Sequence, residues 1–574
     1  MYIDSVPNRG SRPTILLRDG RREGNRVIKR TLANLSDWPE QRVEALRRVL
    51  AGERLAGIDE LITIERSVPH GHAEAILGTI RKIGLDSLIA SKRSRERDLV
   101  LALIAERLIA PASKLGTSRL WNTTTLGEDL GVTDAGVDEL YSALDWLLDR
   151  QDRIERKLAH QHLREGARVL YDVSSSFYYG RHCPLARFGH DRDGKKGVPI
   201  IVYGLLTDEQ GRPVAVGVYP GNTADPKTVP DQVHNLRDRF GLSRVTLVGD
   251  RGMLTDTQID ALRDHPGLGW ISCLRSPAIR SLVEQKHLQM SLLDQSCLAE
   301  LHVPDGYPGE RLIACYNPLL AQERARKREE LLVTTERDLE KIQRDIKRRT
   351  RTPLTKADIG VRVGRVLFHY KMGKHFVLTI EDGALSWQRR TDQIEREAAL
   401  DGLYVIRTSE PQDQLSADDA VRTYKSLALV ERAFRSLKGF GLRIRPIFHR
   451  AERRVRAHVF LCMLAYYVEW HMRRALAPLL FADEELPTLR RQRPPVDPAT
   501  PSISAQRKKA SPLDHHGLPV HSFQTLLAEL GSRCRVLCTF SAQHLTFNQL
   551  TSPTTLQQRV LDLLNLVPSS RKRR

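Results

Sequence analysis

Between residues 168 and 276 the hydrophobic period of the chain changes, and this stretch constrains the fold more than any other. VLYDVS, VPIIVYGLLT, VAVGVYPGN, VTLVGD and GWISCLRS are five short β-prone runs. No helical pattern stands between the first three. DPKTVPDQVHNLRDRF then separates the third from the fourth, and LTDTQIDALRDH the fourth from the fifth. A doubly wound parallel sheet needs a helical crossover after each early strand, so that arrangement does not fit. The pattern predicts three strands in succession followed by strands alternating with helices.

That order is the order of a ribonuclease-H-like sheet. The chain therefore reads as an α/β multi-domain protein whose ribonuclease-H-like core is surrounded by other segments. Residues 1–60 suggest an N-terminal β-hairpin and a helix with Val43, Leu46, Val49 and Leu50 on one stripe. Residues 61–165 are helical. The polar TSRLWNTTTLGEDLGVTDAG within them, with Arg119 and Trp121 nearby, suits a DNA-binding region or a plain helical bundle. Residues 166–276 form the first part of the core. Residues 277–400 are an insertion: a long charged helix with Leu332, Leu339, Ile342 and Ile346 as its seam, then a β-rich stretch from RVLFHY to WQRR. Residues 401–482 complete the core, beginning with a returning strand in DGLYVIRTS. Residues 483–512 are a Pro-, Ser- and Arg-rich linker, and residues 513–574 a small C-terminal unit ending in RKRR.

The candidate chemistry starts from YKSLALVERAFRSLK, where Tyr424, Glu431 and Lys438 stand seven residues apart. Seven residues is close to two helical turns, so the three side chains are expected on one face of a helix over 416–438. Ser416 and Asp419 supply its capping box. A carboxylate between a phenol and an ammonium suits a site that holds a metal and grips a phosphate. Two further carboxylates come from predicted strand ends: Asp172 after the first strand and Asp250 after the fourth, the latter followed by Arg251. Those strands are neighbours in the predicted sheet, and Glu431 on a helix across that edge would complete the set. Mg²⁺ or Mn²⁺ takes such hard oxygen ligands. Two ions about 4 Å apart serve in-line displacement at phosphorus. Singly, each residue has an ordinary reading: a strand-end aspartate turns or caps the chain, and a helical glutamate is solvated. Their order along the chain is what points to a site.

The net charge of +20 favours a polyanionic partner, with nucleic acid the usual one. Arg443 and Arg445 open a basic run, RIRPIFHRAERRVRAH, that reads as a phosphate-binding flank or a solvated helix face. His190, in GHDRDG, falls near the predicted active edge. Trp387 is placed either to stack on an extruded base or to pack in a core. Seven cysteines at irregular spacing suggest no disulfide framework, hence a reducing compartment. The N-terminus has no apolar leader, and the longest apolar stretch, VFLCMLAYYVEW, is too short to span a bilayer. A cytoplasmic location without membrane attachment is expected.

Five pieces in order, YDVSSS, GHDRDGKKGVPIIVYGLL, YPGNTADPKTV, VGDRGM and YKSLALVERAFRSLKG, resemble the bacterial insertion-sequence DDE transposases of the branch marked by a Tyr-Arg-Glu-Lys signature, the insertion-sequence-four superfamily. They span roughly residues 168–460. Tyr424, Glu431 and Lys438 match the signature. Leu427 stands where it has Arg, and Arg435, one turn beyond Glu431, is the candidate substitute cation. The resemblance implies that Asp172, Asp250 and Glu431 are catalytic and bind two Mg²⁺ or Mn²⁺ ions, with Tyr424 and Lys438 on phosphates. It also implies terminal-inverted-repeat DNA and target DNA as partners, strand cleavage and 3′-hydroxyl transfer, a homodimeric synaptic complex, and association with the bacterial nucleoid. Two other readings stay open: a catalytically inactive, transposase-derived DNA-binding protein, and a metal-dependent DNA nuclease without strand transfer.

Overall fold

A computed structural model describes residues 1–53, 62–195, 197–293, 297–302, 306–349, 351–540 and 545–566. The RKRR tail and residues 54–60, the end of the segment expected to hold the N-terminal hairpin and helix, lie outside the described residues. The chain divides into two compact units, Met1–Pro69 with Arg533–Ser552, and His70–Ser532 with the residues from Pro553 on.

The first unit is built mainly of strands. β1 (Tyr2–Asn8), β2 (Ser11–Glu23) and β3 (Arg26–Asn34) form an antiparallel meander, one strand more than the expected hairpin. Gly24, at φ 61°, takes the left-handed conformation that the tight β2–β3 connection requires. In a second sheet β4 (Ile62–Pro69) pairs with β15 (Cys534–Phe540), which pairs in turn with β16 (Leu545–Leu550). Residues expected in a separate C-terminal unit thus complete a sheet begun near the N-terminus.

The second unit holds an eight-stranded mixed sheet. β5 (Ala167–Phe177), β6 (Ile200–Thr207) and β7 (Pro213–Pro220) run as an antiparallel meander. β8 (Val245–Val248) pairs in parallel with the other side of β5, and β9 (Leu268–Cys273) in parallel with β8. A helical segment from Asp225 precedes β8 and helix Asp256–Arg263 precedes β9, as the sequence predicts. Beyond β9 the sheet continues antiparallel through β14 (Leu403–Thr408), β11 (Arg311–Tyr316) and β10 (Leu298–Leu301). The insertion therefore contributes two strands to the main sheet.

The remainder of the insertion is a helical hairpin. Helix Pro318–Arg348 buries the expected Leu332, Leu339, Ile342 and Ile346. RVLFHY, expected to be β-rich, instead ends helix Lys356–Tyr370. A Thr355–Asp358 capping box starts that helix, and Ile359 and Val363 at helical spacing pack on the Leu339–Ile346 seam. The hairpin β12 (Phe376–Glu381) and β13 (Ala384–Arg389) covers the pair.

Helix Glu452–Ala475 is buried along most of its length, as its all-round apolar surface demands. It packs against helices Arg95–Ile109 and Val137–Leu148 and against β7. The expected helical region is therefore part of the same core. Trp121, 1% exposed, donates its indole N–H to the Ala135 carbonyl at 3.1 Å and is a core residue rather than a DNA contact. Residues 483–512 are not an extended linker. They carry helices Leu486–Gln492 and Ile503–Ala510, and buried Lys508 donates to the carbonyls of Ala477 and Leu480 at 2.9 and 3.1 Å. Among the described residues no helix is long and apolar enough to cross a membrane.

Candidate active site

β5 and β8 pair from Ala167 opposite Val245 to Leu170 opposite Val248. Two more residues along each chain bring Asp172 level with Asp250. β8 has ended by then, whereas β5 runs on to Phe177. Asp172 is therefore inside a strand, not at its end as expected: continued pairing with β6 keeps the chain extended. Asp250 opens a tight turn in which the amides of Met253 and Leu254 donate to its carbonyl at 2.9 and 3.0 Å. A Cβ on Gly252 would sit 3.6 Å from Asp250 Oδ2, so the turn folds back beside the carboxylate.

Asp172 is half-buried and accepts from the Val173 amide at 2.8 Å. Burial pushes its carboxyl up to about 7. The Val173 amide and the Arg192 guanidinium act against that rise, while the carboxylates of Asp250 and Glu431 add to it. The charges of Asp250 and Glu431 thus both reach Asp172. Tyr424 donates its hydroxyl to Asp250 Oδ1 at 3.3 Å. Burial, with Cys273 and Asp250 nearby, raises that phenol far above its ordinary value and keeps it a donor.

The Tyr424–Glu431–Lys438 ladder does not lie on one helix. Helix Ala417–Lys425 ends at Ser426, and a second helix, Ala428–Lys438, begins after Leu427. The Ser426 hydroxyl turns back to the Thr423 carbonyl at 2.5 Å, and the amides of Leu427, Leu429 and Val430 bond three residues back instead of four. This tight turn interrupts the α-helical rise. Leu427 packs on the main core. Glu431, in the first turn of the second helix, is exposed, as is Arg435. Val430, Ala433, Phe434 and Leu437 form the buried side, and the Phe434 ring meets that of Tyr203 on β6 at 5.8 Å. Ser436 anchors the helix by donating to Glu469, itself fully buried and paired with Arg473.

Lys438 is held by Asp193, whose two oxygens both stand 3.2 Å from Nζ. Arg445 Nη1 meets the same carboxylate at 2.5 Å. One carboxylate thus bridges two cations. A cleft of about 760 Å³ opens here, lined also by Arg443, Lys195 and the rings of Phe440 and Phe448, which are 87% and 60% exposed. Lys195 lies 4.5 Å over the Phe177 ring and donates to the Tyr179 hydroxyl at 3.0 Å. Sequence reading missed Asp193, Lys195, Phe440 and Phe448. The signal was there, in acids and bases crowded into GHDRDGKK and in phenylalanines set among arginines.

Arg251 follows Asp250, is exposed, and its charge reaches the Tyr424 phenol. His190 is exposed in the loop before Asp193, and among the described residues no hydrogen bond joins it to the three carboxylates. Trp387 lies half-buried on β13, packed into the small cores beneath the long insertion helix. Packing accounts for it there. Among the described residues no three His, Cys, Asp or Glu side chains stand close enough together to hold a metal ion.

Carboxylates at the ends of parallel pairing, a third on a helix nearby and a cation-rich cleft make an arrangement suited to chemistry on a polyanion. The transposase DDE domain family matches residues 174–468, a little more than half of the 574, and the chain belongs to that family. The matched stretch begins two residues after Asp172 and contains Asp250 and Glu431. Curated protein sequences yield no match. Among solved structures, a cryo-EM structure of a piggyBac transposase synaptic complex with hairpin DNA is similar at 10% identity and a TM-score of 0.33, over 87% of this chain and 83% of that one.

Proposed function

We propose that the chain is an insertion-sequence DNA transposase with a ribonuclease-H-like catalytic core. It binds the terminal inverted repeats of its element, cleaves a strand at each end and joins the freed 3′-hydroxyl to target DNA. The observation that carries this reading is that Asp172 and Asp250 each lie two residues beyond the last parallel β5–β8 pair, with Asp250 and Glu431 both near enough for their charges to reach Asp172. The strand order, an antiparallel meander followed by two parallel strands, supports the ribonuclease-H-like assignment.

The donor chemistry fits a hard divalent cation. All three residues offer carboxylate oxygens, and Asp172 is held up to about 7 partly by the other two, a repulsion that a cation would relieve. To hold Mg²⁺ or Mn²⁺, Asp172, Asp250 and Glu431 would have to draw closer together than they stand in this structure. When bound, such ions supply Lewis-acid activation of the attacking oxygen and neutralise charge on the leaving one. The remaining work falls to the chain itself. Tyr424 orients Asp250 through its hydroxyl. Lys438 and Arg445 would exchange Asp193 for a DNA phosphate and hold the strand beside the carboxylates. The net charge of +20 supplies sequence-independent attraction. A homodimer pairing two element ends, in the bacterial cytoplasm, belongs to the same proposal.

The test is cleavage of an element-end duplex with Mg²⁺, comparing wild type with Asp172→Asn, Asp250→Asn and Glu431→Gln. Each variant should lose about 10²–10³-fold or more in rate while keeping end binding. Near wild-type cleavage by any of them removes that residue from the site. Leu427 in place of the signature Arg favours a second reading, an inactive DNA-binding derivative. Wild-type cleavage excludes it, and a strand-transfer product excludes a simple nuclease.

A further inference from the structure

A second cavity, of about 500 Å³, shares Arg443, Arg445, Pro446 and Phe448 with the cleft described above. Its other wall is the turn from Arg107 to Lys114, closed by Tyr141 and by Arg450 and Arg454. Among the described residues no Asp or Glu lines it. Lys114 is 3% exposed, and among the described residues its ammonium has no hydrogen bond or ion pair. Burial and the Arg107 charge bring it down to about 7. Arg107 meets only carbonyls, those of Leu442, Arg443 and Ala112, at 3.4, 3.5 and 3.4 Å. His458, 5% exposed, leaves Nδ1 without a partner among the described residues.

Nearby acids do not balance these cations. Glu106 adjoins Arg107, but burial pushes its carboxyl up to about 7. Asp145 is shared between Arg453 and Arg454, at 3.5 and 3.8 Å. A buried charge without a partner is costly, and an anion placed in the cavity would offset that cost.

We propose that this cavity holds a phosphate group of a nucleic-acid strand that passes out of the catalytic cleft. The inference rests on the reading that DNA occupies that cleft. The shared wall makes the two spaces immediate neighbours. The exposed Phe440 and Phe448 rings suit a strand's bases, whereas free phosphate has no use for them. The volume leaves room for a sugar beside the phosphate.

Lys114→Met removes the charge, keeps the bulk and relieves an unpaired buried cation, and Arg450→Gln changes the exposed rim. Binding of a short single-stranded DNA oligonucleotide is followed by fluorescence anisotropy across a KCl series, with the full chain. Both variants should bind more weakly, with a salt dependence shallower by about 0.7 for each phosphate that the protein no longer neutralises. Wild-type affinity and slope in both overturn the proposal. Arg450→Gln decides alone should Lys114→Met not fold. Inorganic phosphate is the second arm. Thermal stabilisation by phosphate that disappears in Lys114→Met, with the oligonucleotide slope unchanged, overturns the nucleic-acid assignment in favour of a free anion. Oligonucleotide binding does not require cleavage. A Lys114-dependent slope in a protein that cannot cut DNA would uphold the cavity and reject the transposase reading.

Discussion

Asp193 is the acid that Lys438 and Arg445 hold, so Asp193→Asn tests whether the same two cations can also take a phosphate. At 3.2 Å the Lys438–Asp193 attraction is gross about 5 kcal/mol at an effective dielectric of about 20. The Lys438 and Arg445 side chains are 11% and 30% exposed, so desolvation and screening take back much of it. A net loss of about 1–3 kcal/mol in stability is expected, because two cations are left facing each other. DNA binding should move the other way. The amide keeps the loop's shape but no longer competes with a phosphate, which adds about one effective cation to the DNA contact. The slope of log affinity against log salt should steepen by about 0.9, and between 0.2 and 0.05 M KCl that is worth about 3.5-fold in affinity. Anisotropy with a labelled element-end duplex reads the slope, and urea unfolding reads the stability. Adding Lys438→Ala to Asp193→Asn should cancel the gain, since both act on the same phosphate. Weaker binding with a shallower slope in Asp193→Asn would refute the reasoning and make Asp193 a positioning residue for the GHDRDGKK loop.

Lys438→Ala alone should slow cleavage of a pre-nicked end and lower the salt slope by about one counterion; an unchanged rate and slope reject its phosphate role. Glu469→Ala, which leaves the Ser436 hydroxyl without its acceptor and frees the part-exposed Arg473, should destabilise by about 1–3 kcal/mol in urea unfolding, and no measurable change would count against that anchor. Glu106 holds its proton up to about 7 when folded against 4.5 ordinarily, so the stability it contributes is full below 4.5 and lost as pH rises to 7. Glu106→Gln should remove a fall of at most about 3 kcal/mol across that window, seen as a flatter profile of unfolding free energy against pH. In metal-free protein, added Mg²⁺ should raise Tm in the wild type but not in Asp172→Asn; equal shifts would place the ion elsewhere.

The meander and the two parallel strands were legible because each strand carries its own local signal, and because the absence of early helices limits how the strands can join. β10 and β11 were not, since nothing in a short apolar run says which distant strand it will pair with, and β14, on which β11 pairs, arrives some ninety residues later. The same holds for β15, whose partner β4 lies almost a full chain length away. RVLFHY shows the opposite error: its β-prone residues are overruled by a cap ten residues earlier and a seam to pack against. The ladder is the more instructive case. A spacing of seven reads as one helix face, yet the chain turns at Ser426 and Leu427, and Tyr424 reaches Asp250 from a separate helix. The spacing therefore measures a turn between two helices, each seated on its own part of the sheet. Residue 427 must then adopt a helical backbone inside a tight turn while packing on the core, which a leucine does at little cost. A charged side chain at 427 would have to leave that packing to reach a phosphate. Leu427 keeps the turn that carries Tyr424 and Glu431 without adding a cation, so introducing Leu427→Arg should act on DNA affinity before it acts on the fold.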